Sequence, residues 1–144
     1  MIKLPLSTKE LEPWVPHRAP MIWIDEVLSF DDENSLCRTA IDTRKPVYSK
    51  VGLRPSIWIE CIAQGFGFAL IAREMGKPHE KIKRAFMAGI SHAKFFPLKR
   101  EPKVVLVSSK KVRALGPLTL LDGDVRTEDG ELIASAQLKV FGEK

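Results

Sequence analysis

Two polar side chains stand inside the most apolar stretch of this chain. The run RPSIWIECIAQGFGFALIAREM, from Arg54 to Met75, carries Ile57, Trp58, Ile59, Cys61, Ile62, Phe66, Phe68, Leu70 and Ile71, and among them Glu60 and Gln64. At helical spacing Glu60 and Gln64 are one turn apart and share a face. A carboxylate in such surroundings must be paired, protonated or used. A carboxylic acid kept away from water can hold its proton near neutral pH and pass it on as a general acid. The structural alternative is a glutamate bonded to a backbone group or to another subunit.

The element that positions this pair is a helix whose apolar residues do not keep to one stripe, which predicts burial on every side. Pro55 suits its first turn, where a missing N–H costs nothing. Arg73 lies in the last turn, and Gly76 and Pro78 stop the helix. A membrane span would need roughly 20 apolar residues. The run from Ile57 to Ala72 is shorter and contains Glu60, Gln64, Gly65 and Gly67, so no span is expected.

With 144 residues, 44% apolar and 28% charged, the chain reads as one soluble globular domain covering 1–144. A net charge of +5 favours acidic partners, or simply a solvated basic surface. Nucleic acid is not expected, because no aromatic-basic stacking motif accompanies the charge. The two cysteines, Cys37 and Cys61, have no metal-ligand spacing, and Cys61 falls within the helix, so a reducing compartment fits. The opening MIKLPLSTKE lacks the apolar run of a signal peptide, and a cytoplasmic location is expected. No metal triad, Gly-rich phosphate loop or G-x-S-x-G is present.

In order, Ser7 to Val15 predicts a short capped helix, and His17 to Pro20, after Pro16, a stiff loop. Met21 to Phe30 and Ser35 to Asp42 predict two strands around the turn Asp31–Asn34. A basic loop with Arg44, Lys45, Lys50 and Arg54 feeds the central helix. Beyond a charged connector, four more strands are predicted: Ala85–Phe96 interrupted by Gly89, Val104–Leu115, a strand around Thr119–Glu128, and Leu132–Phe141. Asp129-Gly130 is a hairpin signal. Short hairpins and one-sided alternation imply an antiparallel sheet. The fold class is therefore α+β, an antiparallel curved sheet wrapped round one long central helix. Such a wrap leaves an edge and an open side, and a dimer is expected.

Three blocks of the sequence resemble a known family. Pro16-His17-Arg18-Ala19-Pro20-Met21-Ile22-Trp23-Ile24-Asp25-Glu26-Val27 looks like an opening "PHRxPxLLxDxV". Ile59-Glu60-Cys61-Ile62-Ala63-Gln64 is similar to a helix block "xEAxAQ". Phe86-Met87-Ala88-Gly89-Ile90-Ser91-His92-Ala93-Lys94-Phe95 is similar to a strand "xxxGIxxARF". Their order and extent resemble the hot-dog fold, and within it the 3-hydroxyacyl-acyl-carrier-protein dehydratases of fatty-acid and polyketide synthesis. The family's "HFP" histidine is replaced here by Arg44-Lys45-Pro46-Val47-Tyr48-Ser49-Lys50-Val51-Gly52-Leu53. Its helix-opening Gly is replaced by Leu53-Arg54-Pro55, which has no N–H to offer at Pro55. This pattern looks more like the divergent branch associated with aryl-polyene pigment clusters.

The resemblance implies dehydration of a 3-hydroxyacyl thioester, which needs a base, an acid and a donor to the thioester oxygen. Glu60 is the candidate acid and His17 the candidate base, the alternative for His17 being to fix its loop. Ser56, Gln64, Gly89 and His92 are the candidate substrate-binding residues: Ser56 as a donor replacing the family's Gly, Gln64 as an orienter of Glu60 or a backbone partner, and His92 pointing at the helix or serving only the sheet. Arg44, Lys45, Lys50 and Arg54 are candidates for docking an acidic acyl carrier protein that presents its acyl-phosphopantetheine, or are solvated surface. No cofactor and no metal are implied. The resemblance leaves two other functions open, a non-catalytic hot-dog subunit that binds a carrier protein or stabilises an active partner, and an acyl thioesterase. It implies a homodimer, or a heterodimer with another hot-dog subunit.

Overall fold

The computed structural model describes residues 3–15, 22–42, 54–75 and 84–143. The chain opens with a two-residue strand β1 (Leu6–Ser7), a single-turn helix α1 (Thr8–Leu11) and a 3-10 turn, Glu12–Trp14. Ser7 and Glu10 cap α1 reciprocally: the Ser7 side chain accepts from the Glu10 N–H, and the Glu10 carboxylate accepts from the Ser7 N–H at 2.8 Å. Pro13 falls in the 3-10 turn, so the predicted Ser7–Val15 helix is split in two. Then come β2 (Glu26–Phe30), β3 (Asn34–Ala40), the long helix α2 (Ser56–Glu74), β4 (Arg84–Phe95), β5 (Val104–Leu115), β6 (Leu118–Thr127) and β7 (Leu132–Glu143). The β2–β3 turn closes on the Asp31 carboxylate, which accepts from the N–H groups of Glu33 and Asn34 at 2.8 and 2.7 Å. Those bonds hold the Asp31 carboxyl below its usual range.

The strands form one antiparallel sheet in the order β1-β2-β3-β5-β6-β7-β4. The expected α+β architecture is thus present, with β1 as an addition that its two residues are too short to signal by periodicity. Strand β2 begins at Glu26, because at Trp23 and Ile24 the backbone bonds elsewhere, although the Asp25 N–H still reaches β3 and donates to the Arg38 carbonyl at 3.0 Å. The N–H groups of Trp23 and Ile24 go to the Gln64 side chain, and the Asp25 carbonyl accepts from the Thr8 N–H at 2.8 Å.

α2 packs on one face of the sheet, against β2, β3, β5, β6 and β7. Cys37, Thr39, Val105, Val107, Leu121, Val125, Ala134, Ala136 and Leu138 are buried beneath it, the inward alternation that the pattern of β7 predicts. The helix crosses the sheet obliquely. Ile62 lies over Gly123 of β6, and three residues on, Gly65 lies over Val107 of β5, Cys37 of β3 and Ile24. The N-terminal turns of α2 are therefore directed to the β7 and β4 side of the sheet, and the C-terminal turns to the β2 and β3 side.

Burial of α2 stops short of its whole circumference. Ser56 is exposed, and Glu60, Ala63, Gly67, Leu70, Ile71 and Glu74 are half-buried, which at this spacing is one continuous stripe. On the same side of the sheet, Met87, Ile90 and Phe95 of the edge strand β4 pair with the inward Val140, Leu138 and Ala134, yet remain exposed, Ile90 by 51%.

Gly123 permits the closest approach of helix and sheet. A Cβ there would overlap the γ2 methyl of Ile62. Gly123→Ala is expected to cost about 1–3 kcal/mol, the usual range for overpacking a dense core. Ile62→Leu, which keeps the volume and removes the γ2 branch, should recover most of that loss in chemical denaturation of the double variant; full additivity of the two changes would contradict this packing.

Candidate functional site

The first turn of α2 has few N–H groups to spare. Pro55 has none, the Ile57 N–H is donated to the Arg54 carbonyl and the Trp58 N–H to the Pro55 carbonyl, both at 3.0 Å. Among the described residues the Ser56 N–H has no such acceptor, and it sits at the positive end of a 19-residue helix. Glu60 follows one turn later on the same half-open stripe. The Ser56 and Glu60 side chains are therefore neighbours on the half-open face of α2, next to the N–H groups of the helix start.

Gln64 completes the arrangement from below. Its side chain is only 2% exposed. Its Oε1 accepts from the Trp23 N–H at 2.9 Å and from the Ile24 N–H at 3.4 Å, and its Nε2 donates to Glu60 Oε1 at 3.2 Å. Both of the roles considered for Gln64, orienting Glu60 and satisfying backbone, are filled at once. The segment it holds is fixed twice more: the Thr8 hydroxyl donates to the Ile24 carbonyl, and Asp25 Oδ2 accepts from the Ala40 N–H at 2.6 Å. Thr8 and Asp25 were not among the candidate residues. Asp25 was legible, since it is the Asp of the opening block; Thr8 was hidden by its place inside an ordinary helix start.

Arg54 is exposed at the same end of α2 as Ser56. The remaining candidates are elsewhere. His17, Arg44, Lys45 and Lys50 lie outside the described residues. Gly89 and His92 are on the edge strand β4, each at an irregularity of its pairing with β7. A Cβ on Gly89 would touch the Lys139 stem at 3.6 Å, which places it on the sheet face away from α2. His92 has a φ of 53°, in the left-handed region, where it and Ala93 together oppose Ala136. His92 is exposed, and among the described residues no hydrogen bond joins it to Glu60 or Gln64. Among the described residues there is also no group of three or more His, Cys, Asp or Glu side chains able to hold a metal, and no helix is long and apolar enough to cross a membrane.

Set beside known proteins, residues 9–144 match the ApeP-like family, described as ApeP dehydratase. The chain is 25% identical over 138 residues to the 3-hydroxyacyl-[acyl-carrier-protein] dehydratase FabZ of Streptococcus agalactiae, across 92% of this chain and 95% of that protein. It is 23% identical over 143 residues to the FabZ of Lactococcus lactis, across 96% of each. Among solved structures it is similar to the dehydratase heterocomplex ApeI:P from Xenorhabdus doucetiae, with a TM-score of 0.83 at 16% identity over 99% of this chain and 93% of that one. It is also similar to a hypothetical thioesterase with coenzyme A from Streptococcus pneumoniae, with a TM-score of 0.62 at 13% identity over 81% and 84% of the two chains. These likenesses establish the hot-dog fold.

Cys37 lies under the site and takes no part in it. Its thiol donates to the Gly65 carbonyl at 3.6 Å, and burial pushes its pKa up to about 12. Thiol alkylation at pH 8 should leave Cys37 unmodified in the folded protein and label it on unfolding, as followed by peptide mass; rapid labelling of the native protein would contradict the burial.

Proposed function

This chain belongs to the ApeP-like dehydratase family, and we propose that it contributes the acid half of a 3-hydroxyacyl-thioester dehydratase whose substrate is presented by an acyl carrier protein. The observation that carries this reading is that Glu60 lies one turn after the N-terminus of α2, at Ser56, on the same half-open stripe. Dehydration removes a proton from the carbon next to the thioester carbonyl and expels the 3-hydroxyl as water, leaving an enoyl thioester. The Ser56 N–H, at the helix N-terminus, suits the thioester oxygen on which negative charge develops. The Glu60 carboxyl, one turn along, suits the departing hydroxyl, to which it gives its proton. The base that takes the other proton is His17 or a histidine of a second hot-dog subunit, since the stretch from Arg44 to Leu53 has none.

The second subunit is part of the proposal. Among the described residues the Glu60 stripe of α2 is half-open, and on the helix side of the sheet Met87, Ile90 and Phe95 of β4 are exposed, the kind of apolar surface that a partner normally buries. A hot-dog partner on that surface, identical or different, would exclude water from Glu60. The structurally similar ApeI:P is described as a dehydratase heterocomplex, which supports a partner of this kind. The absent HFP histidine and the Pro55 that opens α2 favour a second reading, in which this chain binds the carrier protein or stabilises an active partner without catalysing. A thioesterase would use the same carboxylate to activate water.

One assay separates the three. Incubating a 3-hydroxyacyl carrier protein with the chain, alone and with its hot-dog partner, yields enoyl product on the first reading and free acid on the last. On the non-catalytic reading product forms undiminished when Glu60 is changed. Glu60→Gln in the assembly is expected to lower turnover at least ~100-fold, within the range of general acid catalysis, with an unchanged melting temperature.

The positive end of α2 also suggests where the carrier protein docks. Arg54→Glu, alone and with Arg44→Glu and Lys50→Glu, should weaken carrier binding at low salt and matter less as salt screens the charges. Unchanged affinity at low ionic strength would move docking away from this end of the helix.

A further inference from the structure

Gln64 is almost completely buried, and both ends of its amide are engaged. Two backbone N–H groups, from Trp23 and Ile24, converge on one end. Neither can accept a hydrogen bond, so that end must be the carbonyl oxygen, Oε1. The two donors thus fix the amide orientation by chemistry, without reference to the Glu60 side. The NH₂ group is left facing Glu60 Oε1 at 3.2 Å, and it can only donate there. Glu60 Oε1 therefore accepts from Gln64, a role that suits the carbonyl oxygen of a protonated carboxyl better than its hydroxyl. A proton on Oε1 would have to turn away from the Gln64 NH₂ and would leave it only the weaker hydroxyl acceptor across a part-buried contact.

We infer that Gln64 is a positioning residue that assigns the two Glu60 oxygens different tasks, holding Oε1 as the fixed acceptor and leaving Oε2 as the atom that carries and delivers the proton. The same side chain ties this assignment to the segment 22–25, which lies five residues after His17 in sequence. Displacing that segment would withdraw the donors that orient Gln64 and release Glu60 from its rotamer. Asp25 and Thr8, which pin the segment to β3 and α1, belong to the same chain of support. The role of the Oε2 proton rests on the dehydratase reading above; the hydrogen-bond relay does not.

The relay and the reading are tested separately. In isotope-labelled full-length protein, Glu60→Leu should shift the Gln64 Nε2 resonances while the Trp23 amide stays protected from exchange. Gln64→Met should speed exchange of the Trp23 amide. Nε2 signals that are the same with and without the Glu60 carboxyl, or a Trp23 amide indifferent to Gln64, would overturn the relay whether or not the protein is an enzyme. Gln64→Glu is the decisive variant for the proton assignment. It keeps an acceptor for Trp23 and Ile24, so the fold and the amide protection should persist, but it replaces the donor to Glu60. In an assembly whose wild type turns over, Gln64→Glu should cost roughly 10- to 100-fold in kcat with KM within about twofold, the pattern of a misplaced catalytic group. Full kcat with intact Trp23 protection would overturn the assignment. A wild-type assembly that makes no enoyl product would instead overturn the dehydratase reading and leave the resonance test to decide the relay.

Discussion

A helix as apolar as Ser56–Glu74 needs more cover than one face of a sheet can give. Five strands bury the side carrying Ile57, Cys61, Ile62, Phe68 and Ala72, while among the described residues no strand lies over the stripe through Ser56, Glu60, Ala63 and Gly67. The rest of the molecule adjusts to this one-sided packing. Gly123 has no side chain so that Ile62 can descend onto β6, and Gly65 lies close over β5 and β3. At the edge strand β4 the large apolar groups Met87, Ile90 and Phe95 stand on the helix side of the sheet yet stay exposed. The proposed assembly follows from this imbalance: buried apolar area contributes roughly 25 cal/mol per Å², and the uncovered flank is what a second subunit would remove from water.

Uncovered does not mean unorganised. The functional stripe is held from its buried side, where Gln64 meets the backbone of Trp23 and Ile24 two turns below Ser56. Support from within and openness without suit a site finished by a partner: the side chain that does chemistry is already oriented, and only water has to be excluded. The bonds concerned are side chain to backbone and side chain to side chain in a mostly apolar setting, where leaving any one of them unmade costs about 1–3 kcal/mol. They are thus stability elements as well as orienting ones.

Much of this was legible in the residues. The central helix, the antiparallel order and the inward residues of β7 follow from apolar runs, Gly and Pro punctuation and strict alternation. The Glu60–Gln64 partnership follows from a four-residue spacing. What the sequence hid falls into two kinds. Short elements such as β1 and the split of the first helix at Pro13 are too brief for any period to mark. Segment 22–25 reads as strand because Ile22, Trp23 and Ile24 are apolar and strand-forming, but its backbone is claimed by Gln64 and Thr8, whose reach across 41 and 16 residues is a tertiary fact. The open stripe on α2 was likewise invisible, since composition alone cannot say which side of an apolar helix lacks a neighbour. The placement of Gly89 and His92 at β4 irregularities depended on a pairing register that the strand pattern does not specify.

The central claim is that the Glu60 site is completed only when a second hot-dog subunit covers the flank formed by α2 and β4. Ile90→Asp tests it most directly, because Ile90 is exposed in the single chain, lies on that flank, and is not in the Glu60–Gln64 network. Light scattering and turnover would be measured on the same sample. The account predicts loss of the assembly and of enoyl formation together, with the isolated fold intact by circular dichroism. An Ile90→Asp protein that remains assembled and fully active, or one that is monomeric and still turns over at the wild-type rate, would contradict it.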